Sequence, residues 1–288
     1  YRFIRAEEAN FRVVTMCRVL RVSRSGYYAW RCDRAHVAPS RNAAFDAKVE
    51  AAHRASRGRY GSRRVQRELN EAGIRCSRNR VAHAMRRLDL KARGRRRFKA
   101  TTDSKHTFEV APNLLERNFA AAQPNRAWVG DITYVPTHEG WLYLAVLIDL
   151  YSRRVVGWAT SRHIDRHLVL DALRMALGAR RPAAGLIHHT DRGSQYASND
   201  YRDALKGAGL VCSMSRKGDC WDNAVAESFF ATIKVEELRH HDFATREHAR
   251  DAILQYLCWY NAHRRHSTLG LVSPARFEAH HTHLPIAA

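Results

Sequence analysis

The fold is decided by residues 188–234, which read HHTDRGSQYASNDYRDALKGAGLVCSMSRKGDCWDNAVAESFFATIK. The first residues continue a short apolar run that ends at Asp191, and this pattern predicts a buried strand. Near the end of the stretch a helix is predicted over Asp222–Leu238, and it carries Glu227. Two carboxylates therefore lie on two elements of an alternating strand–helix pattern.

A third carboxylate, Asp131, lies upstream in a β-rich run, Trp128–Pro136. Carboxylates that converge without a counter-charge repel one another, and one of them then holds a proton near neutral pH. A hard divalent cation such as Mg²⁺ takes oxygen ligands and removes that conflict. If the three acids converge, they predict a metal-dependent phosphoryl-transfer site. The opposing interpretation is chance, because a chain with 28 acidic residues contains many such spacings.

The charge balance indicates a polyanionic partner. The chain has 288 residues, with 49 lysines and arginines against 28 acids, and a formal net charge of +21. That excess favours nucleic acid as the partner over a solvated basic surface alone. The length suits two domains, or one domain with appendages, and 45% hydrophobic residues suffice for a core.

Apolar runs and cysteines indicate a cytoplasmic protein. No run of eighteen or more apolar residues is present, so no membrane span is predicted. The N-terminus has no apolar core of a signal peptide. The six cysteines form no CxxC pair, which predicts reduced thiols and neither disulfides nor a zinc site.

The N-terminal third is predicted to be all helical. Helices over Phe11–Leu20 and Arg24–Arg31 fit either a helix-turn-helix or a small packing module. Three more helices are predicted over Arg41–Ala55, over 62–72 with Ser62 as its cap, and over Arg78–Leu88 after Ser77. The last two, joined by a short turn, have the layout of a DNA-reading helix-turn-helix.

Many basic side chains are predicted to contact DNA, because arginine suits phosphates and guanine edges. They lie on these helices, in the arginine-rich tail after them and near the C-terminus. The alternative is a helical linker with a solvated charged face. The predicted contacts are Arg63, Arg64, Arg67, Arg78, Arg80, Arg86, Arg87, Arg95, Arg96, Arg97, Lys234, Arg264 and Arg265.

The rest of the chain predicts an α/β fold, with a mixed five-stranded sheet and flanking helices. The predicted strands are Trp128–Pro136, Trp141–Leu150, Val155–Thr160, Leu186–Thr190 and Leu210–Ser213. The predicted helices are a short one around Asn113–Ala122, then His167–Ala179, Asp200–Ala208, Asp222–Leu238, Arg246–Ala262 and one from Pro274.

Other charged residues compete for a place in the site. Asp149 ends the second strand, where it could cap a turn or lie near a metal. Asp219 and Asp222 precede the helix of Glu227 and are predicted to cap it. Lys234 is two turns after Glu227 on the same face, so it is either a DNA contact or a surface lysine.

Several motifs together resemble the IS3 family of insertion-sequence transposases. They are Trp128–Tyr134 (WVGDITY), His189–Tyr196 (HTDRGSQY), Asn223–Phe230 (NAVAESFF), Tyr260-Asn261 with Arg264–Gly270, Ser273-Pro274, and a helix-turn-helix segment over 58–87. The resemblance covers nearly the whole chain. It implies a ribonuclease H-like core similar to that of retroviral integrases, in a bacterial, nucleoid-associated protein.

The resemblance also implies the chemistry. Asp131, Asp191 and Glu227 would hold Mg²⁺ or Mn²⁺, two ions when DNA is bound, for phosphodiester cleavage and 3′-hydroxyl strand transfer. Double-stranded DNA would be the partner, as terminal inverted repeats and as target. A homo-oligomer on DNA is expected, with the product of an upstream frame fused or interacting. A catalytically inactive DNA-binding regulator and a ribonuclease H-like nuclease remain as alternatives.

These expectations divide the chain into five segments. They are an N-terminal helical segment (1–38), a helix-turn-helix domain with its basic tail (39–100), a linker (101–123), the catalytic core (124–240) and a C-terminal helical extension (241–288).

Overall fold

A computed structural model of the chain describes residues 1–35, 42–93, 111–116, 118–216 and 220–281. The chain forms two compact units, Tyr1–Lys91 and Ala92–Ala288. The finer division into five segments stays a prediction.

The first three helices of unit 1 share a small core. They are α1 (Arg2–Ala6), α2 (Val13–Val19) and α3 (Arg24–Ala35). Ile4, Met16, Cys17 and Tyr27 are buried together. The helices predicted over Phe11–Leu20 and Arg24–Arg31 are confirmed, although α2 is shorter and α3 longer than predicted, and α1 was not predicted.

The remaining helices of unit 1 are α4 (Ala43–Ala55), α5 (Ser62–Glu71) and α6 (Arg78–Arg87). Their apolar faces pack as predicted, with Val65, Leu69 and Val81 buried. Ser77 caps α6 by accepting a hydrogen bond from the backbone N–H of Arg80 at 3.2 Å. The prediction that Ser62 caps α5 is wrong: Gly61 is the cap residue, in extended conformation, and Ser62 is already helical.

In the described part of unit 2, five strands form one mixed sheet, as predicted. The strands are β1 (Ala127–Thr137), β2 (Gly140–Asp149), β3 (Val155–Ser161), β4 (Ile187–Thr190) and β5 (Val211–Met214). Their order is β3-β2-β1-β4-β5. The first three strands form an antiparallel meander, while β4 runs parallel to β1 and β5 parallel to β4.

Helices cover both faces of this sheet. They are α7 (Arg166–Arg180), α8 (Ser194–Ala197), α9 (Asn199–Gly207), α10 (Ala224–Glu236), α11 (Arg246–Ala262) and α12 (Pro274–His281). Trp128 and Ile132 of β1 lie in the core with α7, α8 and α9, while Val129 and Val135 lie in the core with α10 and α11. This alternation is the period of two of a strand with both faces buried.

The short helix predicted around Asn113–Ala122 is wrong, since the described residues there have no regular secondary structure. The Asn113 side-chain oxygen accepts hydrogen bonds from the backbone N–H groups of Leu115 at 3.2 Å and Glu116 at 3.0 Å. The backbone N–H of Leu114 donates instead to Ser213 Oγ at 2.9 Å. These bonds to side chains replace the helical ladder.

The predictions of reduced cysteines and of no membrane span can be compared with the described residues. Cys17, Cys32, Cys76, Cys212 and Cys258 are free thiols. Within the same part of the chain, no helix is both long and apolar enough to cross a membrane.

Candidate functional site

The pairing of β1 with β4 ends close to two of the predicted acids. Val129 pairs with His189 at the end of the parallel ladder. Asp131 on β1 and Asp191, the first residue after β4, each lie two residues beyond this last pair. Asp131 shares the strand face of Val129 and Val135, which is the face covered by α10.

Backbone N–H groups fix the orientation of both aspartates. The N–H of Ile132 donates to Asp131 Oδ1 at 2.7 Å. The N–H of Gly193 donates to Asp191 Oδ1 at 2.9 Å. A Cβ at Gly193 would lie only 3.0 Å from that same oxygen, so a side chain there would press on the carboxylate. Each carboxylate is therefore oriented by a backbone N–H that lies one or two residues further along the chain.

Glu227 reaches this edge of the sheet from the first turn of α10. The start of the helix is attached to β1, because Asn223 Nδ2 donates to the carbonyl of Gly130 at 3.2 Å. Gly130 immediately precedes Asp131, so this bond positions the helix beside the aspartate. Gly130 also allows a close approach from β4, since a Cβ there would lie 2.9 Å from the His188 ring.

The electrostatics indicate that the acids influence one another. Burial first, then the Asp191 carboxylate and more weakly Glu227, hold the pKa of Asp131 well above its usual range, against an opposing effect of Lys234. Burial also raises the pKa of Glu227. Lys234 shares this environment: burial lowers its pKa, although Asp131 opposes the shift. Four charged side chains from β1, from α10 and from the end of β4 thus form one cluster.

The donor set fits a hard cation. All three acids offer oxygen, which Mg²⁺ and Mn²⁺ prefer. The neighbouring imidazoles are engaged elsewhere, since His188 shares a 2.6 Å hydrogen bond with Tyr201 and His189 a 2.8 Å bond with Ser213. Burial lowers the pKa of His188 to about 3 and that of His189 to about 4, so both are neutral.

The site is nonetheless not closed around an ion. Among the described residues, no three histidine, cysteine, aspartate or glutamate side chains lie close enough to hold a metal together. The stronger influence on Asp131 comes from Asp191, so the two aspartates form the nearer pair.

Three residues at this edge were missed from the sequence. The Tyr196 hydroxyl is buried without a hydrogen-bond partner, and Asp131 and Asp191 contribute to raising its pKa after burial. Tyr134 lies under the Lys234 ammonium, 5.0 Å from the ring centroid, and Trp141 contacts Tyr134. Tyr196 lies in the motif His189–Tyr196, so its place near the acids could have been predicted. Trp141 lies only in an apolar run, which does not indicate a functional role.

The competing carboxylates have structural roles. Asp149 accepts from the backbone N–H of Asn125 at 2.8 Å and of Tyr151 at 2.9 Å, as expected of a turn cap. Asp222 was predicted to cap the Glu227 helix, and this is wrong: α10 begins without a side-chain cap bond. Asp222 instead accepts from the backbone N–H of Arg216 at 2.9 Å. Asp219 lies outside the described residues.

The predicted DNA contacts of unit 1 differ in their surroundings. Six of them have exposed side chains on α5 and α6, namely Arg63, Arg67, Arg78, Arg80, Arg86 and Arg87. Within that set, Arg87 pairs with Asp46 at 2.5 Å, Arg67 with Glu71 at 3.0 Å, and Arg80 stacks on Phe45. Arg64 is half-buried over the Tyr60 ring. Arg95, Arg96 and Arg97 lie outside the described residues.

The two C-terminal arginines do not fit the prediction of a DNA contact. Arg264 is only 5% exposed and forms a bidentate ion pair with Glu236, with 2.7 and 2.8 Å contacts. Arg265 is 6% exposed and donates to the carbonyl of Leu271 at 2.9 Å. Both side chains hold the C-terminal loop to the core, so neither is offered to a phosphate.

Comparison with known proteins agrees with this architecture. Residues 121–220 match a family model described as integrase core domain, residues 208–274 match a second model of that description, and residues 39–98 match an HTH-like domain. In a simian T-cell lymphotropic virus intasome, solved in complex with PP2A regulatory subunit B56 gamma, a chain shares the fold. Its TM-score is 0.51 at 15% identity, covering 77% of this chain and 73% of that chain.

Relatives at higher identity extend over nearly the full length. The chain is 47% identical to the insertion element IS600 uncharacterized 31 kDa protein of Shigella sonnei, covering 91% of this chain and 97% of that protein. It is 45% identical to transposase InsF for insertion sequence IS3A of Escherichia coli (strain K12), covering 96% of this chain and 98% of that protein.

The mixed sheet, its carboxylate edge and the matched family models define an integrase-type polynucleotidyl transferase with a ribonuclease H-like core. The two relatives narrow this class further. The chain belongs to the IS3 family of insertion-sequence transposases, as its motifs predicted.

Proposed function

We propose that this chain cuts DNA at the ends of its insertion sequence and joins the freed 3′ hydroxyl to a second phosphodiester. The observation that supports the proposal best is that Asp131 and Asp191 each lie two residues beyond the last pair of the parallel β1–β4 ladder. The influence of Asp191 and Glu227 on the pKa of Asp131 supports a shared pocket for the three acids.

Asp131, Asp191 and Glu227 would hold Mg²⁺ or Mn²⁺, two ions when DNA is bound, which supply Lewis-acid stabilisation of the attacking and leaving oxygens. The raised pKa of Asp131 favours its neutral form, so metal binding there would be coupled to proton release. Lys234, which acts on Asp131, would contact the approaching phosphate.

The reaction needs no protein nucleophile. In the first step a water oxygen attacks phosphorus at the element end, and the 3′ oxygen leaves as a hydroxyl. In the second step that hydroxyl attacks another phosphodiester, so one P–O bond forms as one breaks. The number of phosphodiester bonds is unchanged, so joining needs no external energy source. The first joining would link the two element ends through one strand, before insertion into target DNA.

Unit 1 would deliver the DNA. Arg78 and Arg86 are exposed on α6, the second helix of the helix-turn-helix-like pair, and would face the duplex with Arg63 of α5. Terminal inverted repeats and target DNA are the proposed ligands, with a homo-oligomer assembled on them. Fusion to the product of an upstream frame, and association with the nucleoid, stay predictions.

The test is incubation of the full chain with labelled element ends and Mg²⁺, scored for nicking and 3′-end joining. Asp131→Asn, Asp191→Asn and Glu227→Gln should each lose at least about a thousandfold in joining rate while keeping DNA affinity. Asp203→Asn is the matched control, because Asp203 is exposed on α9. Strand transfer by Glu227→Gln at the wild-type rate would contradict the assignment.

Two other outcomes would each overturn the proposal. Tight binding of element ends without nicking by the wild-type chain identifies a DNA-binding regulator. Cleavage of RNA–DNA hybrids in preference to duplex DNA identifies a ribonuclease.

A further inference from the structure

Two large aromatic side chains lie exposed at the hairpin end of β1 and β2. Tyr134 is 45% exposed and Trp141 49% exposed. Their rings meet edge to face, with centroids 4.9 Å apart and planes at 80°. The register pairs Pro136 with Trp141, so Tyr134 is the diagonal neighbour of Trp141 on the same strand face. The two rings are therefore held in a fixed mutual arrangement although both are solvated.

This aromatic pair is connected to the carboxylates through Lys234. Tyr134 follows Asp131 by three residues on β1, a separation of about 10 Å, so the two side chains project from opposite faces of the strand. The Lys234 ammonium lies 5.0 Å from the Tyr134 ring centroid and also acts on Asp131. In the sheet, β4 pairs with β1 only as far as Val129, so no β4 residue pairs with this part of β1. One lysine thus connects the acids to an aromatic surface that a large ligand can reach.

We propose that Tyr134 and Trp141 stack against a DNA base that leaves the duplex beside the phosphate held at the carboxylates. The inference rests on the proposed function and names a ligand group for the same site. A base has a flat π face, and exposed aromatic side chains beside a basic residue are the usual platform for one. The chain's net charge of +21 is complementary to that ligand.

Stacking would serve the reaction by opening the end of the element. A phosphate inside an intact duplex is flanked by paired bases that limit access to the acids, and removing one base from the stack requires free energy. Tyr134 and Trp141 would compensate for the lost stacking, and Lys234 would contact the adjacent phosphate. Because stacking recognises only the flat face of a base, we expect these two side chains to accept any of the four bases.

The experiment uses the full chain and duplex ends carrying 2-aminopurine at the terminal pairs. Trp141→Leu should lower the joining rate on fully paired ends about 5- to 150-fold, the range expected when stacking of one base is lost. Trp141→Phe should retain most of the rate. Ends with mismatched terminal pairs should restore Trp141→Leu to within a few-fold of wild type, since the base is already unpaired. Leu254→Ala, at a 42% exposed position of α11, is the matched control.

Several results would overturn the inference. An equal loss on paired and mismatched ends would show that Trp141 only supports the position of the acids. A change in oligomeric state with Trp141→Leu would make the pair a contact between copies of the chain. If wild type does not join at all, the proposed function fails, but a 2-aminopurine signal on binding that Trp141→Leu lacks would still support stacking. An unchanged signal in that variant refutes it.

Discussion

Replacing Arg264 with alanine should destabilise unit 2, and only indirectly affect DNA binding. Its Nε and Nη2 donate to the two carboxylate oxygens of Glu236 at 2.8 and 2.7 Å, and the Tyr256 hydroxyl donates to the same carboxylate at 2.8 Å. The paired side chains are 6% and 7% exposed. Although burial lowers the pKa of Arg264, the hydrogen bonds to Glu236 outweigh it and raise the pKa above its usual value. The pair therefore stays charged.

The magnitude follows from the burial of both partners. Removing one member of a buried, hydrogen-bonded ion pair costs about 3–5 kcal/mol, because the other charge is left without compensation. A unit of this size loses about 2–4 °C in Tm per kcal/mol. We therefore expect Arg264→Ala to melt about 6–20 °C below wild type, towards the smaller value because Tyr256 still donates to Glu236.

Tryptophan fluorescence is a suitable assay, since Trp30 is the only tryptophan outside unit 2. The double variant Arg264→Met/Glu236→Leu should recover most of the stability, because an apolar pair of similar volume needs no charge compensation. Arg174→Ala is the matched control: Arg174 pairs with Asp171, but both are exposed, so the change should stay within about 0.5 kcal/mol.

The result that would refute this reasoning is equally specific. If Arg264→Ala keeps the wild-type Tm but binds DNA more weakly, with a salt dependence reduced by about one ion, then Arg264 is a phosphate contact. That is the role that the sequence predicted for it. The burial of its side chain would then not describe the DNA-bound protein.

Three further predictions concern the sheet and the carboxylates. Gly157→Ala should lower the free energy of unfolding by about 3 kcal/mol in urea titrations, because its Cβ would meet the backbone oxygen of Ala172 and lie 2.7 Å from Ala176 Cβ. The control Gly178→Ala, in open space on α7, should instead raise the free energy of unfolding by up to about 1 kcal/mol. Equal effects of the two variants would refute the packing argument. Asp131→Asn should raise the Tm measured without metal and remove the stabilisation by Mg²⁺. For wild type that stabilisation is about 2.7 kcal/mol when the Mg²⁺ concentration is a hundred times Kd. An unchanged Mg²⁺ effect in thermal melts would exclude Asp131 as a ligand. The affinity for Mn²⁺ should increase as pH rises towards the raised pKa of Asp131, and then level off. Calorimetry in two buffers should detect the protons released on Mn²⁺ binding. An affinity that does not change with pH would contradict the raised pKa of Asp131.

The sign of the metal-free effect follows from the direction of the shift. The pKa of Asp131 is raised in the folded state, so folding disfavours its charged form. Stability without metal should therefore fall as pH rises from the usual carboxyl pKa to the raised pKa of Asp131. Asparagine at this position carries no charge, so the variant should lack this dependence.

Secondary structure was predictable wherever one periodicity dominates. The bounds of α11 agree with the sequence prediction, because its apolar residues recur on one helical stripe. All five strands begin and end within one residue of their predicted bounds. The effect of Asp191 on Asp131 could be anticipated only by assuming that β1 and β4 are neighbours, which the observed strand order provides.

What could not be predicted depends on partners distant in sequence. Nothing near Arg264 in the sequence indicates that Glu236, at the end of α10, is its buried partner. The segment at Asn113 has enough alanine and leucine for a helix, but its backbone N–H groups find side-chain acceptors at Asn113 itself and at Ser213. In both cases local composition competes with a tertiary contact, and the contact determines the result.

Carboxylates of the framework share a close arginine, whereas those of the candidate site act on one another. Asp149 and Glu278 share Arg180, at 3.3 and 2.8 Å, which ties α7 and α12 to the end of β2. At the end of β4, by contrast, Asp131 repels Asp191, and the buried Tyr196 hydroxyl has no partner. A cation held by the acids would relieve that repulsion while serving the chemistry. Metal affinity and folding stability are therefore expected to be linked through Asp131, so that a change improving one in the absence of metal should weaken the other.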